Sequence, residues 1–406
     1  MKEDSNPANL MEIIRTRRSV RRYDGAKVSS EVIRNTAQVL NHAPGFGGSR
    51  CWRFYLVQDK NPLSRFAAAA LSGLKAKINP WLAAPGIPAF IAACADPDKS
   101  GRKGDKHFYL ADTSIAMEYL VLSACENNLG TCWIGAFDEQ PIRRVLGLHK
   151  HIRIVAISPL GYPFRREPSP LDLAAQYDRY GIRAMHKKRL LMEEILFLNE
   201  YGNKHNLPPV GARHASPLHE SGKQSAKVIL GLMQKIKFAD SFTPKPVEPE
   251  KTALLIEAAR LAPSASNAQP WRFILVEGKK QREALEAAAY DENGLPVPFT
   301  SAPMVIAAVA VVGFGRERGR EQPYFLIDVP IAITHILLMA SALGLGVNVL
   351  FDFSERRARQ VLHIPERCRI VALISIGYPS RRTTKDTFPL QFFSAPPPRK
   401  PTFEIL

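Results

Sequence analysis

Apolar residues near the start of the chain recur with the spacing of one helical face, which predicts an amphipathic helix over residues 8–16. A second amphipathic helix is predicted from Ser29, a favourable N-terminal capping residue, to about Asn41. The segment that follows Glu248 repeats the spacing of this second helix. The same helix is therefore predicted at two distant places in the chain.

Two short runs of aromatic and branched residues, 52–57 and 271–276, are typical of strands. A helix, a strand and another helix are predicted after each run, in the same order. Two longer apolar stretches, 111–127 and 328–343, predict the central helices of two cores. Glycine follows both stretches, and at Gly130 it predicts a left-handed cap at the C-terminal end of the first helix.

Short sequences recur in the same order along the chain. Ala-Pro and Trp-Arg-Phe occur in residues 43–54 and again 219 residues later, in residues 262–273. Arg-Ile-Val-Ala at 153 and Gly-Tyr-Pro at 161 return 216 residues later. The whole order of elements is therefore duplicated.

The duplication predicts two homologous domains of about 200 residues, which fits the usual size of a domain. Residues 187–201 are predicted to form a helix, and the following residues carry proline and glycine without periodicity. Short strands that alternate with helices predict an α+β fold or α/β sandwich in each domain. The predicted units are half one, residues 1–202, a linker, residues 203–224, and half two, residues 225–406.

The composition is that of a globular protein, with 46% hydrophobic and 23% charged residues. Apolar runs such as 154–160 and 305–312 are interrupted well short of the ~18 residues that a membrane span requires, so no transmembrane helix is predicted. The first nine residues lack the apolar region of a secretory signal, which favours a cytoplasmic location. The five cysteines contain no C-x-x-C pair, and we expect reduced core thiols rather than a metal site.

The formal net charge of +17 favours anionic ligands. Nucleic acid, a phosphorylated cofactor and an anionic membrane surface all remain open from charge alone. No recognised nucleic-acid-binding motif accompanies the charge. The predicted partner is therefore a small molecule, with no nucleic acid and no membrane.

Four motifs together resemble those of the FMN-dependent nitroreductases. They are Arg-Arg-Ser-x-Arg at 17–21, Gly-Thr-Cys-Trp-Ile-Gly-Ala-Phe at 130–137, Gly-Tyr-Pro at 161–163 and Ala-Pro-Ser-x-x-Asn-x-Gln-Pro-Trp at 262–271. The resemblance extends over nearly the whole chain, as two fused copies. It implies a nitroreductase-like α+β sandwich in which FMN lies between two subunits. Two fused copies would pack as an intramolecular pseudo-dimer, and a monomeric chain is expected.

The resemblance also implies which residues hold the flavin. One subunit would supply a basic cluster, a glycine loop and a basic C-terminal residue, and the other would supply a serine and asparagine loop. Half one carries the first set, as Arg17, Arg18, Ser19, Arg21, Gly135, Ala136 and Arg189. Half two carries the second set, as Pro263, Ser264, Ser266 and Asn267.

The residues missing from each half are complementary. In half two, Ile236-Lys237-Phe238 stands at the basic cluster and Phe351-Asp352 stands at the glycine loop. In half one, Gly45, Gly47 and Gly48 stand where half two has its polar loop side chains. A homodimer keeps two identical sites, whereas a fused pair can keep one and lose the other. The sequence therefore predicts one composite FMN site per chain.

Each assigned residue type suits a part of FMN and also has a plain structural explanation. Arginines donate charge-assisted hydrogen bonds to phosphate, although a basic helix end is often only solvated. By the resemblance, Arg21 would stabilise the reduced flavin ring. The main chain at Gly135 would donate a hydrogen bond to flavin N5. The alternative for Gly135 and Ala136 is a tight turn at the end of a strand. The serine and asparagine loop could be only a turn. Arg165, Arg166 and Lys188 are further candidates beside Arg189, with surface charge as the alternative.

The predicted function is electron transfer from NADH or NADPH through FMN to a small acceptor such as a nitroaromatic or a quinone. No separate Gly-x-Gly-x-x-Gly motif is visible in half two, so the donor would share the flavin site in turn. The alternative is a flavin-binding or flavin-sensing protein without turnover. Outside the site, Trp52 and Trp271 are predicted as equivalent core residues, and His335 as a structural residue.

Overall fold

The computed structural model describes residues 6–48, 50–72, 78–83, 85–164, 189–210, 227–289, 301–312, 323–380, 393–394 and 403–405. Its α-helices are Pro7–Thr16, Ser30–Ala37, Lys60–Ala70, Phe108–Glu126, Glu139–Val145, Met192–Ile195, Val228–Gln234, Pro249–Arg260, Lys279–Ala289, Phe325–Ala342 and Glu355–Val361. Its strands are β1 Gly45–Phe46, β2 Trp52–Val57, β3 Ala89–Ala95, β4 Arg102–Lys103, β5 Lys106–His107, β6 Gly130–Thr131, β7 Arg153–Gly161, β8 Leu196–Leu198, β9 Lys237–Phe238, β10 Trp271–Val276, β11 Met304–Val311, β12 Gly346–Leu350, β13 Cys368–Gly377, β14 Phe393–Ser394 and β15 Phe403–Ile405.

The duplicated helix begins at the predicted capping signal. Ser29 Oγ accepts a hydrogen bond from the main-chain N–H of Val32 at 3.3 Å, which starts helix Ser30–Ala37. A 3-10 turn continues this helix to Asn41. Helix Pro249–Arg260 is its equivalent in half two. These predicted helices, and the one at the start of the chain, are confirmed.

Two mixed sheets form the centres of the two halves. The sheet of half one has the order β15-β2-β3-β7-β6, and that of half two has the order β8-β10-β11-β13-β12-β9. The five strands of the first sheet correspond in order to the first five of the second, and β9 is an additional edge strand of the second sheet. The correspondence includes an irregularity after Ala93 in β3 and after Ala308 in β11. The predicted strands β2 and β10 have the boundaries that the sequence indicates. The predicted α+β fold is confirmed.

Each sheet has an edge strand that comes from the other half. β8 belongs to half one but pairs in parallel with β10, where Leu196 lies beside Phe273. β15 belongs to half two but pairs in parallel with β2, where Phe403 lies beside Phe54. The prediction of one helix over 187–201 was therefore wrong in part, because the helix covers only Met192–Ile195 and the apolar residues Leu196–Leu198 complete a sheet. Residues 187–188 lie outside the described residues.

The central helices, Phe108–Glu126 in half one and Phe325–Ala342 in half two, pack against each other. Residues of both halves contribute to a single core around them. Phe325–Ala342 is apolar and long enough to span a membrane, and it is the single such helix among the described residues. Of this 18-residue stretch, 94% is buried within the protein. Core packing therefore explains its apolar composition.

The first central helix ends differently from its prediction. The left-handed residue is Asn128, with φ of 60°, whereas Gly344 with φ of 73° takes this role after the second helix. Gly130 instead lies in β6, where a Cβ atom would come within 2.7 Å of the Val20 side chain. The predicted cap at Gly130 was wrong, because close packing against Val20 is what requires glycine there.

The predicted core residues Trp52 and Trp271 are both fully buried at equivalent sheet positions. The five cysteines all lie among the described residues as thiols outside disulfides, and four of them are buried. Burial raises the pKa of Cys51 and Cys132 above that of an ordinary thiol, which disfavours their reactive thiolate form.

Candidate functional site

The basic segment 17–21 lies along the edge of the half-one sheet. Ser19 forms a parallel bridge with Thr131 of β6, and the main-chain N–H of Val20 donates to the Thr131 carbonyl at 2.9 Å. The chain leaves β6 and reaches Gly135 four residues later. The fold therefore brings two predicted parts of the half-one site, the basic segment and the glycine loop, to the same edge of the sheet.

Arg17 is the most buried member of the basic segment, with 8% of its surface exposed. Its Nε atom is buried and has no hydrogen-bond partner within the part of the chain that the structure describes. A buried guanidinium nitrogen is costly unless a partner accepts its hydrogen bond. An anion such as a phosphate would supply that acceptor, so the predicted phosphate role fits the environment of Arg17.

Arg18, Ser19 and Arg21 are exposed. Arg18 Nη1 donates to the carbonyl of Arg15 at 2.5 Å, which turns its guanidinium back onto the end of the first helix. The guanidinium carbon of Arg21 lies 5.8 Å from the ring centroid of Trp81, within the range of a cation–π contact. Trp81 therefore orients Arg21, a contact that the motif did not indicate.

A cavity of about 130 Å³ adjoins this basic segment. Its described lining comes from half one alone, from Thr16, Arg17, Arg18, Val20, Cys125, Asn128, Leu129, Gly130, Thr131 and Pro163. The cavity shares Arg17 and Arg18 with the predicted composite site, but its described lining does not include the serine and asparagine loop.

Gly135 faces half two directly. A Cβ atom at Gly135 would lie 2.7 Å from both Cε1 and Oη of Tyr324, so a side chain larger than hydrogen would collide with the ring. The next residue, Ala136, accepts a hydrogen bond at its carbonyl from Asn79 Nδ2 at 3.2 Å. The predicted small pair is thus at the boundary between the halves, with Tyr324 as its opposite wall.

The polar loop of half two has a strained main chain. Ser266, Asn267 and Gln269 have φ values of 52°, 52° and 49°. This left-handed region costs a residue with a side chain roughly 1–2 kcal/mol, and glycine adopts it freely. Such strain in three of four residues is typical of functional loops, because the surrounding structure must hold it.

Hydrogen bonds from three directions hold this loop. Gln269 donates from its main-chain N–H to Ser264 Oγ at 2.9 Å, and its own Oε1 accepts from the N–H of Leu190 at 2.9 Å. The N–H of Ala265 donates to Asp328 Oδ1 at 3.0 Å. Gln269, which belongs to the motif at 262–271, thus positions the loop. Asp328 is a second positioning residue that the sequence did not single out, although a buried Asp at the start of an apolar helix was a usable signal.

Arg189 makes its hydrogen bonds with the main chain of half two. Its Nη1 donates to the carbonyls of Arg260 and Ala262 at 3.2 and 2.6 Å, and its Nη2 donates to that of Leu261 at 3.0 Å. These contacts cap the end of helix Pro249–Arg260, directly before the loop. Burial, together with the charges of Arg17 and other nearby arginines, lowers the pKa of Arg189 to about 10.

These contacts join the two predicted sets of residues at two points. Gly135 contacts Tyr324, whose carbonyl accepts from the N–H of Asp328, the residue that anchors the loop at Ala265. At the other end, Arg189 donates to the carbonyl of Ala262 at the start of the same loop and is close enough to Arg17 and Arg18 for their charges to lower its pKa. Arg165, Arg166 and Lys188 lie outside the described residues.

The counterpart site, defined by Phe351-Asp352 and the loop 44–50, is filled by aromatic rings. Phe108, the equivalent of Tyr324, lies with its ring centroid 6.1 Å from that of Phe351 and 4.6 Å from that of Phe46. Phe108 and Phe351 are each 2% exposed. The counterpart site has Phe351 at the position of Gly135 and Phe46 at the position of Ala265.

The backbone of the counterpart loop nevertheless keeps the same shape. The N–H of Phe46 donates to Asp112 Oδ1 at 3.0 Å, as Ala265 does to Asp328. Gly47 and Gly48 have φ values of 57° and 70°, at the positions equivalent to Ser266 and Asn267. Asp352, at the position of Ala136, is held in an ion pair with Lys103 at 2.5 Å.

A family model described as the nitroreductase family matches residues 14–162, 241–296 and 292–378. A protein of Archaeoglobus fulgidus, with a provisional name as an NADH dehydrogenase/NAD(P)H nitroreductase, is 27% identical over 183 residues, 44% of this chain and 97% of that protein. An NADH dehydrogenase of Thermus thermophilus is 28% identical over 162 residues, 31% of this chain and 74% of that protein. A solved FMN-dependent nitroreductase of Clostridium difficile R20291 is 26% identical, with coverages of 38% and 89% and a TM-score of 0.34.

Proposed function

Because the chain belongs to the nitroreductase family, we propose that it is an FMN-dependent oxidoreductase that takes electrons from NADH or NADPH. The relatives named as NADH dehydrogenase and NAD(P)H nitroreductase support this donor. The proposed acceptor is a small, planar organic molecule such as a nitroaromatic or a quinone. When bound, FMN would supply the redox chemistry, and the protein would position it.

One observation carries the proposal of a single composite site per chain. The main chain of the loop has the same shape in both halves, but half two has Ser266 and Asn267 where half one has glycine. Polar side chains at strained positions cost stability, so their retention in one loop indicates a use for them. In the counterpart site the glycines relieve the strain, and Phe46 and Phe351 take up space.

The residues of half one would hold the phosphate and one edge of the flavin. Arg17 would use its unpartnered Nε, and Arg18 and Ser19 would add donors at the same helix end. Arg21, oriented by Trp81, would place a positive charge near the ring. Gly135 would let the main chain approach the ring closely.

The residues of half two would form the other wall. Ser264, Ser266 and Asn267 would offer short polar groups to the cofactor, with Pro263 at the start of the loop. Tyr324, which packs against Gly135 from half two, would line the pocket in which the donor and the acceptor bind in turn. In this arrangement the chain acts as an intramolecular pseudo-dimer, and a monomer is sufficient for activity.

The proposal is tested by the amount of flavin and by its reduction. Purified protein saturated with FMN should hold about one FMN per chain after removal of free cofactor, and two would contradict the composite site. Anaerobic addition of NADH or NADPH should then remove the absorbance of the oxidised flavin, and a quinone or nitroaromatic should restore it. Bound flavin that is not reduced by either donor would favour the alternative, a flavin-binding or flavin-sensing protein.

A further inference from the structure

A buried carboxyl–imidazole pair links the two central helices. His335 Nε2 lies 2.9 Å from Glu118 Oε1, and both side chains are 0% exposed. Glu118 lies in the middle of the half-one helix, and His335 lies in the middle of the half-two helix. Groups of this kind are costly to bury unless every one of their polar atoms has a partner.

Both members of the pair have a second partner. His335 Nδ1 lies 2.9 Å from the carbonyl of Ala258, and because a carbonyl only accepts, Nδ1 carries a proton. Trp133 Nε1 donates to Glu118 Oε2 at 3.0 Å. The result is a continuous hydrogen-bonded link from Trp133 through Glu118 and His335 to Ala258.

The two ends of this link lead to the two walls of the composite site. Trp133 stands two residues before Gly135 on the half-one side. Ala258 lies in helix Pro249–Arg260, which runs directly into the loop at 262–269 on the half-two side. We infer that Glu118 and His335 are positioning residues that hold the Gly135 wall against the polar loop, an inference that rests on the proposed function.

The equivalent positions around the counterpart site form no such link. Glu118, His335 and Trp133 correspond to Thr334, Tyr119 and Val349. Thr334 donates back to Pro330 within its own helix, and valine has no donor. The Tyr119 hydroxyl is buried without a hydrogen-bond partner among the described residues.

This asymmetry separates a role in the site from general core packing. A hydrogen-bonded link that only joined the two central helices would have the same effect at the equivalent positions near the counterpart site. The link is instead found next to the polar loop of half two and Gly135. It therefore supports the geometry of the composite site.

The test measures FMN affinity of the full-length apoprotein at a temperature well below unfolding, by titration of flavin fluorescence. Glu118→Ala and His335→Ala should each weaken FMN binding at least about tenfold, and the double variant should be no weaker than the worse single variant. Glu118→Gln, which can still bond both neighbours, should restore affinity to within about threefold. Tyr119→Phe removes the hydroxyl at the position equivalent to His335 and should leave FMN affinity unchanged.

If the alanine variants do not fold, Trp133→Phe is used for the same FMN titration, because it deletes the indole N–H and keeps an aromatic ring. It should also weaken FMN binding several-fold while circular dichroism remains that of the wild type. Folded variants that unfold at lower temperature but bind FMN as the wild type does would overturn the positioning role. If the wild-type chain itself binds no FMN, the proposed function fails first and this inference fails with it.

Discussion

The composite site and the counterpart site have the same framework but different side chains. In both, an aspartate at the start of the central helix accepts a hydrogen bond from the loop, through Asp328 or Asp112. In both, the loop contains consecutive left-handed residues. The difference is that one loop keeps polar side chains at these positions and the other has glycine. The main-chain framework is therefore the same on both sides, and the side chains at these positions are what differs.

The same contrast applies where the halves face each other. The Tyr324 ring packs directly against Gly135, which has no side chain, whereas at the equivalent positions the Phe351 side chain lies beside the Phe108 ring. An unfilled cavity in a core is destabilising. Large apolar side chains at the counterpart site remove that cost, and the predictions below alter matched positions at the two sites.

The largest effect is expected from adding bulk at Gly135. Gly135→Val places a side chain 2.7 Å from Tyr324 and should weaken FMN binding about 100-fold or more, equivalent to about 2.7 kcal/mol. The Kd for FMN, from equilibrium titration, is the measurement. Phe351→Leu is the control at the equivalent position and should leave the Kd unchanged. Wild-type affinity in Gly135→Val would remove Gly135 from the site.

Removal of one positive charge should have a smaller effect. Arg17→Ala should weaken FMN binding about 10- to 100-fold, because a hydrogen bond to a charged group contributes about 1.5–3 kcal/mol. Lys237→Ala removes the same charge from the exposed segment of half two and should not change FMN affinity. Isothermal titration of both apoproteins compares them. An equal loss in both variants would show that net charge, not a specific contact, governs binding.

The smallest effect is expected at the strained loop, where two quantities should change in opposite directions. Asn267→Gly should raise the free energy of unfolding by up to about 1 kcal/mol, because glycine relieves the left-handed strain. The same change should weaken FMN binding about tenfold through loss of the side chain. Denaturant unfolding of the apoprotein and FMN titration give the two values.

The matched control for this loop is Gly48→Asn in half one. It should lower stability and should not create a second FMN site, because Phe46 and Phe351 still fill the space. Lower stability together with unchanged FMN binding in Asn267→Gly would mean that Asn267 serves the fold alone.

Much of the fold could be predicted from local patterns. The periodicity around Ser29 and the branched runs at 52–57 and 271–276 specify elements whose stability depends on near neighbours, and these elements are present. The repeat of motifs predicted the duplication, and the family match confirms it. The error over 187–201 arose because an apolar run of three residues can serve as a helix face or as an edge strand.

The sequence by itself determined the element types, the duplication, the family and the complementary loss of motifs, because each of these depends on residue identity and spacing along the chain. The tertiary structure decided which halves exchange strands, that Tyr324 faces Gly135, and that Glu118 meets His335 in the core. These contacts join residues that are about 77 to 349 positions apart, from Leu196 beside Phe273 to Phe54 beside Phe403. Such pairs depend on how two whole sheets and two central helices pack, and local periodicity contains no information about that packing.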